Sequence, residues 1–379
     1  MPGARVASLY VHAPFCVRRC SYCDFAVQVR RTGDPEEWLK ALAGELRAVE
    51  AEGLLELAPV LRTLYVGGGT PSLLGPDAMA GLAAVVGRHR LRDPLLEWTA
   101  EANPESLGAE VLDGWRRAGV NRLSLGVQTF HEPALRWMGR LHGPAGAAAA
   151  VSVIRRGGIE NFSVDLMFGL PGHLGRTWSE DLRRTLDLEP PHVSLYGLSV
   201  EPATPLGRAV AEGREPGVDE DAYSEEFLEA AETLVSAGYL HYEVSNFARP
   251  GLASVHNSAY WTGEPYLGLG NGAHSYAPPV RRWNIRDWAA YSGKAVSGAL
   301  PEEGRESLDA QATRLERVWL GLRTSEGLPL GGFPPGCAAV VARWADRGWA
   351  AVAGSRVTLT RHGWLLLDRL AVEFDEACA

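Results

Sequence analysis

The 379-residue chain has no apolar run long enough to cross a bilayer, which excludes a membrane-spanning helix. Its most apolar stretch, around Ala145 to Ile154, is short and alanine-rich and reads as a helix packed inside a domain. A basic surplus is missing too. Lys and Arg number 37 against 46 Asp and Glu, a net charge of −9, so the chain is not built as a general nucleic-acid binder. The N-terminus lacks the charged region and apolar run of a secretory leader, and none is expected. Cysteine is scarce, and its odd count of five, with Cys337 and Cys378 isolated from the other three, gives no disulfide framework. This usage predicts a reducing, cytoplasmic setting.

What is present is ordinary globular composition, 46% hydrophobic and 22% charged, in a chain long enough for one large domain and a smaller one. Up to about residue 240, short β-branched runs alternate with helical stretches. The strand candidates are Ala7 to His12, Thr63 to Val66, Glu97 to Glu101, Arg122 to Val127, Phe162 to Met167 and Val193 to Leu198. Between the first two, Leu39, Leu42, Leu46 and Val49 recur at helical spacing. Such alternation predicts an α/β fold with a parallel sheet and right-handed crossovers. Six units, where a closed barrel has eight, predict a partial (β/α)6 TIM-like barrel over residues 1–240.

Residues 241–379 change character. Turn-rich aromatic segments come first, then helices over Ala310 to Arg323 and Ala338 to Arg347. A hairpin, Ala351 to Thr360, turns at Gly354–Ser355, and a last helix runs from His362 to Leu370. This order predicts a smaller, winged-helix-like C-terminal domain, without the basic recognition helix of a DNA reader.

Chemistry concentrates where strand candidates end. Cys16, Cys20 and Cys23, spaced C-x3-C-x2-C, follow the first strand directly, and Gly67–Gly68–Gly69–Thr70 follows the second. Glu101–Ala102–Asn103–Pro104, Gln128–Thr129 and Gly169–Leu170–Pro171–Gly172 close later strands, so these clusters should converge at one ligand site. Three thiolates without a nearby fourth suit a 4Fe–4S cluster with one iron left open. The alternatives are zinc with His12 as fourth ligand, or three buried thiols with no metal. The polar strand-end residues could equally be satisfied structural hydrogen-bonders.

The cysteine spacing, with Tyr22 between the last two, resembles the radical S-adenosylmethionine superfamily. That resemblance implies that the open iron binds S-adenosylmethionine and that the Gly67 to Thr70 loop holds its methionine end. Tyr10-Val-His12-Ala-Pro14-Phe15-Cys16, Gly67-Gly-Gly-Thr-Pro71, Glu101-Ala-Asn-Pro104 and Asp165-Leu-Met-Phe-Gly-Leu-Pro171 are similar to oxygen-independent coproporphyrinogen III oxidase. Phe25, however, stands where that enzyme has a fourth cysteine, and His256-Asn257-Ser258-Ala259-Tyr260-Trp261 matches the H-N-x-x-Y-W motif of HemW-type haem chaperones. The resemblance therefore implies a carrier of haem, delivering it to haem-requiring acceptor proteins, membrane-associated respiratory enzymes among them. Its site residues would be Tyr10, Tyr22, Gly68, Gly69, Thr70, Glu101, Gln128, Arg140 and Asp165 for S-adenosylmethionine. His256 would contact haem, with His274 a second candidate. The competing expectations are a coproporphyrinogen dehydrogenase of porphyrin biosynthesis and a radical methyltransferase.

Overall fold

The computed structural model describes residues 3–334 and 336–378. Twelve strands form its main sheet: β1 (Ser8–Ala13), β2 (Thr63–Gly68), β3 (Glu97–Ala102), β4 (Arg122–Gln128), β5 (Asn161–Phe168), β6 (His192–Gly197), β7 (Leu240–Glu243), β8 (Asn246–Ala248), β9 (Tyr266–Leu269), β10 (His274–Ala277), β11 (Val280–Asn284) and β12 (Glu302–Ser307). Strands β1 to β6 lie side by side in chain order and all parallel, each reached through helical crossovers. These are the six βα units expected from the sequence, and each strand forms within a residue or two of its expected span.

Strict alternation along these strands sorts the side chains into two faces. Leu9, Val11, Leu64, Val66, Trp98, Ala100, Leu123, Leu125, Val164, Leu166, Val193 and Leu195 form the buried outer face under the helices. The residues between them are polar: Tyr10, Thr63, Tyr65, Glu97, Thr99, Glu101, Arg122, Ser124, Ser163, Asp165, His192 and Ser194. Most of these are also buried, so the concave side is a layer of hydrogen-bonded polar groups. Desolvated groups of this kind must pair with one another or receive a ligand.

The covering helices begin and stop where local chemistry requires. Helix Pro35–Glu52 starts at Asp34, whose side chain accepts from the Glu37 N–H, and stops at Gly53 with φ of 77°. It buries Trp38, Leu42, Leu46 and Val49 along one stripe, and Trp38 Nε1 donates to the His12 carbonyl at 2.9 Å, fixing the helix to β1 just before the cysteines.

The sheet does not break at residue 240, where a domain boundary is expected. Strand β8 adds antiparallel to β6 and β7 pairs antiparallel with β8 at the edge, while β9 adds parallel to β1 and continues into the antiparallel run β10 to β12. Residues 241–307 thus extend both edges of the barrel sheet, since a strand edge leaves backbone groups that the next segment satisfies. Beyond them lies the small module. It comprises helices Ala310–Leu322 and Gly336–Asp346, the hairpin Ala350–Ala353 and Arg356–Leu359, and helices Arg361–Trp364 and Leu367–Ala377. The expected helix–helix–hairpin–helix order is present, with the final helix broken in two and longer than expected. Cys337 and Cys378, read as isolated in the sequence, are brought together by these helices with Cα atoms 5.4 Å apart and are joined as a disulfide. No helix among the described residues is long and apolar enough to cross a membrane.

Candidate functional site

The cysteine loop leaves the carboxyl end of β1. Phe15–Cys16 pairs with Gln28–Val29, which closes the loop at its base, and the Cys23 N–H donates to the Cys20 carbonyl at 3.2 Å. The loop is held from the other side by helix Glu132–Met138, because the Ser21 N–H donates to the Met138 carbonyl at 3.1 Å. Gly139 there has φ of 78°, and its bare Cα faces Arg18 and Cys20, so the chain passes close to the thiols. Cys16, Cys20 and Cys23 line one cavity of about 260 Å³ together with Tyr22, Gly68, Gly69, Thr70, Glu101, Gln128, Arg140 and Asp165.

Burial pushes the Cys16 thiol up to about 11 and raises Cys23 as well. Protonated thiols are poor ligands, so the loop needs a compensating cation to hold thiolates. Iron would supply one; Arg140, with Nη1 3.9 Å from Cys20 Sγ, supplies another. Among the described residues no three His, Cys, Asp or Glu side chains converge on a point that a single metal ion could occupy. His12 is not available as a fourth ligand: Nδ1 accepts from Tyr10 Oη at 3.0 Å and Nε2 reaches the Ala26 carbonyl at 3.0 Å. Mononuclear zinc finds no donor set here. Three soft thiols spread around one cavity fit a cluster, whose irons are ligated separately.

Each oxygen of the strand-end carboxylates receives one donor and keeps a lone pair toward the cavity. Glu101 accepts from Tyr65 Oη at 2.8 Å and from the Gly68 N–H at 2.9 Å, which holds the glycine loop open with Gly68 at φ 105°. Burial raises its carboxyl to about 7. Asp165 accepts from Ser163 and Ser124 hydroxyls, each at 2.7 Å, and burial raises it too. Thr70 Oγ1 stands 3.4 Å from Cys16 Sγ and accepts from Asn103 Nδ2 at 3.1 Å. Asn103 Oδ1 and the Gly126 carbonyl in turn fix Arg140 Nη2, both at 2.6 Å. Gln128 holds a left-handed φ of 69° at the cavity wall. A non-glycine residue pays for that conformation, and such strain clusters at ligand sites.

Three expected residues are not brought into this cavity. Tyr10 stands behind its wall, stacked on Tyr65 with ring centroids 6.1 Å apart. His256 lies in the floor of the barrel, 1% exposed. Its Nδ1 is hydrogen-bonded to Thr63 Oγ1 and its Nε2 to Tyr260 Oη, both at 2.8 Å, and its ring stacks under Tyr65 at 5.0 Å. Burial, with Arg122 nearby, lowers it to about 3, so it is neutral. His256, expected as a haem contact, thus has both ring nitrogens hydrogen-bonded within the protein and almost no exposed surface. Helix Val255–Trp261, which carries the motif, plugs the barrel. Glu97 accepts from the Val255 and His256 N–H groups at its start, and Trp261 at its end packs under the Arg323 guanidinium at 4.2 Å. His274, the second candidate, is exposed on β10 and stacks on Trp283, outside the cavity.

Two positions that hold the cysteine loop in place were not read from the sequence. Asn271 Nδ2 donates to the Ala26 carbonyl at 2.8 Å and to the Arg286 carbonyl at 3.0 Å, while Arg286 itself donates to the Asp24 carbonyl. With His12, they tie down the chain just after Cys23. The only local signal was an asparagine between Gly270 and Gly272, which reads as a turn and nothing more.

Six parallel strands, a three-thiol loop after the first and a glycine loop after the second define a radical S-adenosylmethionine protein, and the profile of that superfamily matches residues 10–185. Over the whole chain, coproporphyrinogen III oxidase (HemN) from Escherichia coli shares the fold. Its TM-score is 0.80 at 23% identity, covering 99% of this chain and 90% of that one. Sequence similarity is more specific. The heme chaperone HemW of Mycobacterium tuberculosis is 38% identical over 97% of this chain and 94% of its own length. That of Bacillus subtilis is 33% identical over 95% and 96%. The chain belongs to the HemW family.

Proposed function

We propose that this protein is a haem chaperone: it carries a 4Fe–4S cluster on Cys16, Cys20 and Cys23, binds S-adenosylmethionine beside it, and delivers haem to acceptor proteins, membrane-associated respiratory enzymes among them. The observation that carries this reading is similarity over nearly the full length to relatives named heme chaperone HemW. Phe25, where the oxidase has a fourth cysteine, supports it. The oxidase likeness, at 23% identity, speaks for the fold alone.

A bound cluster would supply a one-electron donor with one iron free of thiolate. The rest of the work falls to side chains. Arg140 beside Cys20 offsets negative charge on the thiolates, and Gly68 and Gly69 let the glycine loop lie flat against the His12 ring and the Ala13–Phe15 backbone, where a Cβ would collide. Glu101 and Asp165 present acceptors for an ammonium or for ribose hydroxyls. Anaerobic reconstitution followed by parallel haem titration and coproporphyrinogen turnover tests the reading. Haem binding without protoporphyrinogen formation is expected; turnover without haem binding would hand the site to the dehydrogenase.

A further inference from the structure

We infer that haem seats at the mouth of the cysteine cavity, its face against Phe25, Val17 and Leu141 and its propionates toward Arg18 and Arg19; this placement rests on the chaperone reading. With His256 sealed in the barrel floor, the cargo needs another seat. The cavity mouth has the required shape of chemistry. Phe25, Val17 and Leu141 all line it and are 59%, 38% and 44% exposed. Leaving a phenylalanine side chain this open forgoes most of the stabilisation that burying it would bring, so a cluster of such residues at a cavity mouth marks a binding face.

Charge selects the occupant. Arg18 and Arg19 are exposed on the same rim, and Arg19 spends only its Nε, on the Cys23 carbonyl at 3.2 Å. Asp24, beside them in the chain, is already paired with Arg286 at 3.4 Å. In a chain of net charge −9 this leaves a local cationic edge beside an apolar patch. A planar apolar macrocycle with two carboxylates on one edge is its complement. The deeper wall carries Glu101 and Asp165, which disfavour carboxylates, and its one cation beside them, Arg140, is already held by Asn103 and the Gly126 carbonyl.

The test is haem titration, followed at the Soret band, of the reconstituted wild type and of Phe25→Ser, Arg18→Glu and His256→Ala. Phe25 and Arg18 are surface residues, and iron and sulfide content verify that the cluster is intact in each variant. Phe25→Ser and Arg18→Glu should each weaken haem binding roughly tenfold, while His256→Ala that retains its fold should bind as the wild type does. Haem dimethyl ester, which lacks the carboxylates, should remain sensitive to Phe25→Ser and become insensitive to Arg18→Glu. Rim variants that bind haem normally, with loss in His256→Ala, would overturn the seat and leave the chaperone. Normal haem binding with slower cluster reduction by a reduced acidic flavoprotein would make the mouth an electron-donor dock instead. Absence of haem binding in the wild type would overturn the chaperone reading and the seat with it.

Discussion

Replacing Asn271 with alanine tests whether a segment 250 residues downstream holds the cysteine loop in place. Asn271 is 1% exposed, and its amide nitrogen bridges the Ala26 and Arg286 carbonyls at 2.8 and 3.0 Å. The turn carrying it cannot drift to compensate. A Cβ on Gly270 would meet the His12 carbonyl at 2.7 Å, and the Gly270 N–H is held by Glu45 at 2.8 Å. Two lost hydrogen bonds at about 1 kcal/mol each, with the Arg286 carbonyl left short of its donor, give a destabilisation of roughly 2–3 kcal/mol. His12 still donates to the Ala26 carbonyl, so the loop loosens but keeps one tether. If about half of the loss falls on that loop, the cluster should be lost to a chelator about tenfold faster, since ~1.4 kcal/mol is a factor of ten. Denaturant unfolding of the cluster-free protein and decay of the charge-transfer band under chelator measure the two effects. A wild-type unfolding midpoint together with a wild-type cluster lifetime would refute the clamp.

Cys16→Ala, Cys20→Ala and Cys23→Ala should each abolish the cluster, whereas Cys337→Ala should retain full iron and sulfide by chemical analysis, because the disulfide lies in the C-terminal module. Asp165→Ala and Glu101→Ala should keep their iron yet diminish the change that S-adenosylmethionine makes in the electron paramagnetic resonance of the reduced cluster; an undiminished change would remove both from the binding site. His256 titrates near 3 when folded and near ~6.5 when unfolded, so the unfolded state takes up its proton first as pH falls. Its contribution is fully present above about pH 6.5 and is lost as pH drops toward 3, with a slope near ~1.4 kcal/mol per pH unit. His256→Gln should therefore take up about one proton fewer on unfolding between roughly pH 4 and 6, read from the pH dependence of the denaturation midpoint; an unchanged slope would mean the ring is not sealed in the floor.

Local rules were enough for much of this molecule. The six parallel strands, the helices between them and the three-thiol loop all follow from patterns spanning a few residues: alternation, helical spacing, and cysteines with no partners nearby. Convergence of Gly68, Thr70, Glu101, Gln128 and Asp165 was legible as well, because a parallel sheet aligns every strand's carboxyl end. What tertiary structure alone decided involves partners far apart in the chain. Strands β7 to β12 extend both edges of the barrel sheet because those edges offered unpaired backbone groups, which no local pattern announces. Cys337 and Cys378 meet because two helices pack. Asn271 reaches a carbonyl 245 positions away. His256 sits in a motif of polar and aromatic residues that looks the same whether it faces a ligand or plugs a floor. Burial made that choice, since Tyr65 stacks on the ring and Thr63 and Tyr260 satisfy its two nitrogens, and burial is a property of the folded chain.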